Sequence, residues 1–309
     1  MVPAAVDIFA DNPDWQVFAA AGGVTLFVGV SLSLTSRTGG AKLSVRQAFI
    51  LTTLSWVVLT IFAALPFAFS QLELSFTDAF FEAMSGITTT GATVIVNLDT
   101  APPGLLLWRS LLQWLGGIGI IVMALAVLPL LRVGGMQLFH MESSDQSDKA
   151  LPRTAQIAAA IVVIYLALTV IWSGALWLAG LSGFDAIAHA MTTIATGGFS
   201  THDASLSYYD SAVVEAITTV GMILGSLPFL LYLLALQGRV GALFKDSQVQ
   251  WFFKVLVVVI LFVAGWLWLV NDVDPLNSLR LSSFNVVSIM TGTGYVTDGF
   301  DKWGTFAIP

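Results

Sequence analysis

Residues 76–93 of the chain read FTDAFFEAMSGITTTGAT, a short apolar stretch followed by a run of Thr and Gly. The apolar stretch is too short to cross a bilayer, because a transmembrane helix needs about 20 residues. Two similar segments occur later in the chain, and they read FDAIAHAMTTIATGGFS (184–200) and LSSFNVVSIMTGTGYVT (281–297). A segment that returns three times, each time after a long apolar span, identifies an internal repeat and predicts a repeated architecture.

The three copies share a register. Asp78 aligns with Asp185 and Gly91 with Gly198, and the third copy joins the other two at Gly294. We interpret each repeat as an outer helix, a short re-entrant helix, an extended Gly/Thr loop and an inner helix. Irregular backbone at membrane depth is tolerated only where protein buries it or water lines it. Three copies in register therefore favour the lining of a pore, although one copy alone would favour an ordinary extracellular turn.

Glycine and threonine suit a pore loop for chemical reasons. Glycine permits backbone conformations that aim successive carbonyls in one direction. Carbonyl oxygens arranged in this way can replace the hydration shell of a monovalent cation. The short helix before each loop points its negative C-terminal end toward the loop, which also favours a cation.

Composition predicts that the repeats lie in a membrane. Hydrophobic residues make up 57% of the chain and charged residues 10%, whereas a soluble domain carries about 25% charged residues. Six charge-free apolar runs predict bilayer helices, because only helices satisfy their backbone polar groups within a single segment. These runs cover residues 16–36, 47–72, 110–131, 154–184, 216–238 and 255–271.

The distribution of charge predicts the orientation. Fifteen of the nineteen acidic residues fall on one side, where they either concentrate cations at a pore mouth or form an ordinary solvated face. The opposite side holds nine of the twelve basic residues, which makes it cytoplasmic. These nine are Arg37, Lys42, Arg46, Arg132, Lys149, Arg153, Arg239, Lys245 and Lys254.

Several residues stand out among the apolar segments. Glu82 and His189 occupy equivalent positions in the first two short helices, and we predict that both make structural hydrogen bonds behind the loops. Arg109 follows a tryptophan at the outer boundary and is predicted to be an interfacial anchor. Pro228 is predicted to kink the fifth span. Gly116, Gly117 and Gly119 are predicted to let the third span pack closely against a neighbour, with a hinge as the alternative.

Several classes of function are disfavoured. The net charge of −7 argues against nucleic acid as a partner, since a phosphate-binding face needs clustered Lys and Arg. The chain has no Cys and therefore no thiolate metal site. It lacks an HExxH motif, a phosphate-binding loop and a plausible Ser/His/Asp grouping, so we predict that it is not an enzyme. Residues 1–14 hold three Asp and no basic residue, which predicts an extramembrane loop rather than a signal peptide.

The repeats and their flanks resemble the Trk/Ktr/HKT superfamily of potassium transporters, and most closely its TrkH-type bacterial subunits. The matching stretches are FTDAFFEAMSGITTTGAT, LLWRSLLQWLGGIGIIVMALAVLPLLRVGGMQLFHMES, HAMTTIATGGFSTHDAS and TGTGYVTDG. The resemblance implies an all-α integral membrane protein with pseudo-fourfold repeats around one pore. The family also has a helix ahead of residue 1 and further repeat sequence after Pro309, so we expect residues 1–309 to be a fragment with two complete repeats and one partial repeat.

The resemblance assigns a potassium-binding filter to the three loops, with Gly91, Gly198 and Gly294 as its glycines. Sodium-selective relatives carry Ser in place of the first glycine, so Gly91 implies that potassium is the transported ion. No organic cofactor, catalytic residue or transition-metal site is expected. The carbonyls beside the glycines would line the ion path, and they belong to Thr88, Thr89, Thr90, Ala195, Thr196, Gly197, Thr291, Gly292 and Thr293.

The repeats also predict the organisation of the chain. An N-terminal transmembrane helix with its loops occupies residues 1–43, and a cytoplasmic linker occupies residues 136–153. The pore repeats occupy residues 44–135 and 154–240, with a partial third repeat at 241–309. The resemblance implies a multi-pass protein of the bacterial plasma (inner) membrane that forms a homodimer. It further implies a cytosolic nucleotide-binding regulatory subunit of the TrkA/KtrA type as a partner.

The leading hypothesis is a channel-like potassium uptake subunit that a cytosolic partner gates. A sodium-permeable or sodium-coupled relative is one alternative, and a non-conducting membrane scaffold subunit is another. A secondary transporter with a site at the membrane midplane would need broken helices and usually an intramembrane acid or base. The six apolar runs contain no such charged residue, which disfavours that third alternative.

Overall fold

The computed structural model describes residues 1–36, 45–131, 150–299 and 303, and this part of the chain contains helices and no strands. Two short 3₁₀ turns lie at Leu98–Thr100 and Ser205–Tyr209. The predicted linker at 136–153 falls outside the described residues except for its last four. The α-helices are α1 Val2–Phe9, α2 Trp15–Thr35, α3 Val45–Phe69, α4 Phe76–Ile87, α5 Pro103–Leu131, α6 Ala150–Leu178, α7 Gly183–Ile194, α8 Ala212–Ser226, α9 Phe229–Leu236, α10 Gly241–Lys245, α11 Ser247–Val270 and α12 Pro275–Met290.

Within the described residues, five helices are long and apolar enough to cross a membrane, and they are α2, α3, α5, α6 and α11. The remaining predicted span is the pair α8 and α9, which meet at an angle of 90°. Pro228 lies at the break, and the residue before it, Leu227, is extended with φ −74° and ψ 148°. Proline disfavours the helical region for the residue that precedes it, so α8 ends there. The predicted kink at Pro228 is confirmed, and it is a sharp turn.

The expectation of a loop over residues 1–14 was wrong, because Val2–Phe9 forms helix α1. Asp7 on α1 is fully buried, and its Oδ1 accepts the backbone N–H of Gly104 at 2.7 Å. A Cβ at Gly104 would collide with the Asp7 carboxylate. The first turn of a helix has N–H groups without helical partners. Asp7 therefore caps α5 from a distant helix, which gives the acidic N-terminus a structural role.

The described residues form two compact units, and each is considered by itself. The first unit takes its residues from Met1–Thr88, Ala92–Val96 and Thr100–Ala158. The second takes its residues from Thr89–Gly91, Asn97–Asp99 and the chain from Ala159 onward. The second unit thus contains two short pieces of the first repeat's loop in addition to the later two repeats.

In the first unit, α4 packs against α3 and α5 through small and aliphatic side chains. Ala79 and Ala83 on α4 are fully buried, and so is Phe67 on α3. Trp108 on α5 donates from its indole Nε1 to the backbone carbonyl of Ala63 on α3 at 3.0 Å. These contacts hold the short helix between the two long ones, so that its C-terminal end has a fixed position.

The second unit has its own apolar core, which α6, α7, α8, α11 and α12 share. Leu176, Met222 and Phe284 are almost completely buried within it. Trp172 on α6 donates from its indole Nε1 to the backbone carbonyl of Ile217 on α8 at 2.9 Å. The long helices α6 and α8 therefore pair through a tryptophan, as α3 and α5 do in the first unit.

Glycines let the inner helices reach the ends of the short helices. A Cβ at Gly116 on α5 would collide with the carbonyl oxygen of Ile87, the last residue of α4. A Cβ at Gly225 on α8 would lie 2.7 Å from the carbonyl oxygen of Ile194, the last residue of α7. The prediction of close packing is confirmed at Gly116, whereas a Cβ at Gly119 would make only an ordinary contact of 3.9 Å with Trp56. Gly225 serves the same purpose as Gly116 in the second repeat.

Candidate functional site

Each Gly/Thr loop follows the C-terminal end of a short helix with a side-chain cap at its other end. Ser75 caps α4 by accepting the N–H of Asp78, and Ser182 caps α7 by accepting the N–H of Asp185. Asp274 caps α12, the third and longest of the short helices, through its side-chain carboxylate. Oxygen side chains are preferred at this position because they accept N–H groups of the first turn. The caps fix where each short helix begins and therefore where its loop starts.

The three loops share an unusual backbone pattern. The loop glycines have positive φ angles, 81° at Gly91, 77° at Gly198 and 83° at Gly294. The residue two places earlier in each loop also has positive φ, and the residue between has not. These earlier residues are Thr89 at 56°, Thr196 at 49° and Gly292 at 75°.

This alternation directs the carbonyls. In a regular strand successive carbonyls point to opposite sides, whereas alternating left-handed and right-handed conformations turn them toward one side. Two of the left-handed residues, Thr89 and Thr196, are β-branched, for which positive φ is sterically unfavourable. Such conformations cost about 1–3 kcal/mol each and persist only where the surrounding structure enforces them. The three loops thus adopt one geometry even where the residue type opposes it.

The loop segments within the second unit lie against one another. A Cβ at Gly91 would collide with the carbonyl oxygen of Gly197 and lie 3.4 Å from the carbonyl oxygen of Thr293. A Cβ at Gly198 would collide with the carbonyl oxygen of Thr293. Within the described residues, no heavy atom lies within 4 Å of a Cβ built on Gly294. The structure therefore brings segments of the three predicted loops together, backbone against backbone.

The other predicted filter residues occupy related positions. Thr88 belongs to the first unit, where it ends α4 and donates its hydroxyl to the Met84 carbonyl at 2.7 Å. Thr291 ends α12 in the same way and donates to the Val287 carbonyl at 2.8 Å. Ala195 ends α7. These three residues mark the transition from helix to loop in their repeats.

In the second and third repeats, carbonyls of the short helix accept hydrogen bonds from backbone N–H groups of its own loop. The Thr192 carbonyl accepts the N–H of Gly197 at 2.8 Å, and the Ser288 carbonyl accepts the N–H of Thr293 at 2.9 Å. These bonds direct the N–H groups of Gly197 and Thr293 back toward their own short helices. The Ser288 hydroxyl also donates to the Tyr295 carbonyl at 2.7 Å.

Tyr295 joins the third loop to the second short helix. It follows Gly294 directly and is fully buried. Its hydroxyl lies 2.5 Å from the Thr192 hydroxyl and donates to the His189 carbonyl at 3.3 Å. Sequence analysis missed this contact, although a tyrosine directly after a loop glycine was the available signal.

Arg109 does not lie where sequence analysis placed it. Helix α5 begins at Pro103, seven residues before the predicted span, so Arg109 lies inside the helix. Its side chain is 2% exposed, and its Nε donates to the Glu82 carboxylate at 2.8 Å. The prediction of an interfacial anchor was wrong, because a buried carboxylate on α4 provides a partner that the linear sequence does not reveal. The predicted hydrogen-bonding role of Glu82 is confirmed.

A carboxylate–imidazole pair joins the segments that follow the first and second loops in the second unit. The Asp99 carboxylate lies 2.5 Å from Nδ1 of His202, whose ring stacks on Tyr208 with centroids 3.5 Å apart. Nε2 of the same ring lies 3.8 Å from the Asp185 carboxylate. The hydrogen bond from His202 holds the pKa of Asp99 below its usual value.

An ion pair missed by sequence analysis joins α8 and α12. Arg280 binds both carboxylate oxygens of Glu215, with distances of 2.7 Å from Nε and from a terminal nitrogen. The hydrogen bonds to Glu215 raise the pKa of Arg280 above its usual value. Among the described residues, no three His, Cys, Asp or Glu side chains form a cluster that could hold a metal ion.

Comparison with known proteins gives a consistent result. The model of the family described as "TrkH: Cation transport protein" matches residues 14–307. The Trk system potassium uptake protein TrkI of Halomonas elongata is 44% identical over 308 residues, which cover 99% of this chain and 62% of that protein. TrkH of Escherichia coli K12 is 39% identical over 311 residues, which cover 99% of this chain and 64% of that protein.

A solved structure shares the fold. The crystal structure of the potassium transporter TrkH from Vibrio parahaemolyticus superposes with a TM-score of 0.90 at 37% sequence identity. The superposition covers 99% of this chain and 64% of that one. The chain thus spans less than two thirds of the length of these relatives.

Proposed function

Because the chain belongs to the TrkH family of cation transport proteins, we propose that it forms part of a channel-like path that carries potassium ions across the membrane. The prediction of an all-α, multi-pass inner-membrane protein is confirmed by the helices and by the relatives. The prediction that the chain is not an enzyme is confirmed by its family. The ion, its binding residues and the mode of transport are parts of the proposal.

One observation carries the proposal: three Gly/Thr loops with the same alternating backbone pattern lie against one another in the second unit. Carbonyls turned to one side can take the place of the water molecules around a monovalent cation. Thr89–Gly91, Ala195–Gly198 and Thr291–Gly294 would supply those oxygens, with Thr88 next to them in the chain. Each short helix ends at its loop, so the negative ends of α7 and α12 favour a cation there.

Potassium fits better than sodium because of Gly91. The relatives named above are potassium uptake proteins. A side chain at Gly91 would collide with the Gly197 carbonyl oxygen, one of the proposed ion ligands. Since Gly91 also has positive φ, a serine there would be strained and would displace that carbonyl. An intact ring of carbonyls therefore depends on glycine at this position.

A cytosolic nucleotide-binding partner of the TrkA/KtrA type and a homodimer are part of the same proposal. Their support is family membership, since the relatives carry the description of a Trk system. A binding test with a purified regulatory subunit, with and without nucleotide, would check the partner. Light scattering of the detergent-solubilised protein would check the dimer.

The central experiment uses the full-length gene product that contains this chain. Reconstituted into liposomes, it is expected to take up ⁸⁶Rb⁺ or K⁺ in preference to Na⁺, and to restore the growth of potassium-uptake-deficient cells at low potassium. Gly91→Ser is expected to lower the ratio of potassium to sodium permeability about tenfold or more, a change of about 1.4 kcal/mol in discrimination.

Gly265→Ser is the matched control, because Gly265 lies within α11 and, in the described part of the chain, no heavy atom lies within 4 Å of its added Cβ. Selectivity unchanged in Gly91→Ser would refute the filter assignment. Absence of ion flux in the folded full-length protein would instead favour a scaffold subunit. Sodium flux that equals potassium flux in the unaltered protein would favour the sodium-permeable alternative.

A further inference from the structure

The residue nine positions before each loop glycine makes hydrogen bonds to the segment that follows the same glycine. These residues are Glu82, His189 and Asn285, which precede Gly91, Gly198 and Gly294. All three side chains are fully buried. Each lies on a short helix and reaches a hydroxyl-bearing residue two or three places beyond the glycine. Their partners are Thr93, Ser200 and Thr297.

In the first repeat the side chain is a carboxylate. The Glu82 carboxylate accepts the Thr93 hydroxyl with both oxygens at 3.0 Å and the backbone N–H of Val94 at 3.0 Å. It also accepts Nε of Arg109 at 2.8 Å. The carboxylate thus receives donors from the returning segment and a compensating charge from α5, which a buried anion requires.

In the second repeat the same place is taken by an imidazole. Nδ1 of His189 lies 2.9 Å from the Asp185 carbonyl, and Nε2 lies 2.9 Å from the Ser200 hydroxyl. A carbonyl can only accept, so Nδ1 carries a proton, and in a neutral ring Nε2 accepts from Ser200. Burial disfavours the charged form, so the neutral ring joins α7 to the returning segment without a charge.

In the third repeat the side chain is an amide. Nδ2 of Asn285 donates to the Leu281 carbonyl at 2.9 Å and to the Thr297 hydroxyl at 3.0 Å. Its Oδ1 faces the backbone N–H of Thr297 at 3.5 Å. A carboxylate, an imidazole and an amide thus perform one task, which is to connect a turn of the short helix to the chain beyond the loop.

We propose that Glu82, His189 and Asn285 are positioning residues, called here the three tethers, and that they hold each loop in the conformation that keeps its carbonyls turned to one side. The proposal rests on the proposed function, since it assigns these residues to ion selectivity. Each loop is already fixed at its start by the end of its short helix. A tether beyond the glycine fixes the other side, so that the left-handed residues between are held from both ends.

Burial gives the tethers their effect. Thr297 and Ser200 would each lose the hydrogen bond to their buried tether if that residue became apolar, and the loss of a hydrogen bond costs free energy. The returning segment would then shift to reach another partner or water. Because Gly91 and Gly198 lie against carbonyls of adjacent loops, a shift in one loop moves the oxygens of the next.

Asn285→Leu in the full-length protein tests the third tether, because leucine keeps the volume and removes both donors. We expect the ratio of potassium to sodium permeability to fall about tenfold, as the loss of one well-placed interaction allows. Thr297→Val removes the other end of the same bond and is expected to have the same effect, whereas Thr297→Ser keeps the hydroxyl and is expected to retain selectivity. Asn277→Leu, on the exposed face of the same helix, is the matched control.

Two readouts separate the possible failures. Hydrogen exchange at the amides of Thr293 and Gly294 is expected to accelerate in Asn285→Leu whether or not the protein conducts. If the unaltered protein shows no potassium flux, the proposed function fails and the exchange measurement still decides the tether. If the unaltered protein is selective and both Asn285→Leu and Thr297→Val keep the same permeability ratio and exchange rates, the tether is refuted.

Discussion

The carboxylate of Asp99 lies 2.5 Å from Nδ1 of His202, although the two residues are 103 positions apart in the chain. Asp99 follows the first Gly/Thr loop and His202 follows the second, so the pair joins the segments that leave two adjacent loops. The His202 side chain is 14% exposed and that of Asp99 is 45% exposed. The contact is therefore partly accessible to solvent, and we expect it to respond to pH and salt.

The Asp99–His202 pair is expected to make stability depend on pH in the acid range. The folded protein lowers the pKa of Asp99, so the pair stabilises the fold above the unfolded value of about 3.8 and this contribution disappears as pH falls through the folded pKa. Asp99→Asn should lower Tm at pH 7 by at most about 3 °C, because an exposed pair is screened by solvent. It should have little effect at the lowest pH that the protein tolerates.

Thermal unfolding of the detergent-solubilised protein between pH 3 and pH 7 measures this difference. High salt should reduce it, because salt screens exposed charges. Asp11→Asn, which alters an exposed acidic residue of the first unit, is the control. An equal Tm difference between Asp99→Asn and the unaltered protein at all pH values would contradict the prediction.

Gly116→Ala and Gly119→Ala are expected to change stability in opposite directions. Alanine is favoured over glycine in a helix by about 1 kcal/mol, and a Cβ at Gly119 has only an ordinary contact of 3.9 Å with Trp56. A Cβ at Gly116 would collide with the Ile87 carbonyl, so α4 or α5 must move. We expect Gly116→Ala to lower the free energy of unfolding by about 1–3 kcal/mol through overpacking.

Thermal unfolding of the two alanine variants measures this difference in stability as a difference in Tm. Both glycines lie in the same helix, so helix propensity is matched between them. Equal stabilisation by both substitutions would mean that α5 does not press against the end of α4. If the end of α4 moves in Gly116→Ala, the permeability ratio should also change, because the first loop begins there.

The Glu82–Arg109 pair is expected to be strongly coupled. Arg109→Met leaves the Glu82 carboxylate buried without its counter-charge, and removal of one partner of a buried pair costs about 3–5 kcal/mol. Glu82→Gln combined with Arg109→Met removes both charges, so the double variant should be more stable than Arg109→Met alone. The amide oxygen that Glu82→Gln introduces can still accept the Thr93 hydroxyl.

A double-mutant cycle on unfolding free energy or Tm measures the coupling. Additive effects of the two substitutions would contradict direct pairing, because residues in contact give coupling energies of about 0.5–3 kcal/mol. Arg46→Met is a control for loss of a basic side chain, since Arg46 is exposed at the start of α3.

Tyr295→Phe is expected to weaken ion selectivity more than it weakens the fold. The substitution keeps the ring and removes the hydroxyl that lies 2.5 Å from the Thr192 hydroxyl and bonds to the His189 carbonyl. Each lost hydrogen bond costs about 0.5–1.5 kcal/mol of stability. The third loop would lose its connection to the second short helix, so we expect a fall of about tenfold in the potassium-to-sodium permeability ratio.

Flux measurements in liposomes with Tyr295→Phe and Tyr208→Phe check this expectation. Tyr208 is exposed, and phenylalanine preserves its stacking on His202. Similar permeability ratios for the unaltered protein and both variants would show that the Tyr295 hydroxyl does not hold the loop.

Part of this architecture follows from local sequence. The apolar runs predict the long helices. The segments near Asp78 and Asp185 form short helices that start at serine caps. Pro228 ended a helix where proline chemistry requires it. These features depend on residues within a few turns of one another, which is why they could be predicted without knowing the packing.

Arg109 illustrates what local sequence cannot provide. Beside Trp108 at the end of an apolar run it had the pattern of an interfacial anchor, yet its side chain is buried against Glu82, 27 residues away. Helix α1 was not predicted for a related reason. The hydrogen-bond donor to its buried Asp7 is the backbone N–H of Gly104, 97 residues away. A charged residue is predicted to be exposed until the structure supplies its partner.

The sequence by itself determined the membrane helices, the three short helices and the Gly/Thr loops, because length, apolar composition and caps act within each segment. Only the tertiary structure decided that Gly91 lies against Gly197, that Tyr295 reaches Thr192, and that Glu82, His189 and Asn285 each reach beyond their own loop. These contacts depend on where helices from different parts of the chain pack.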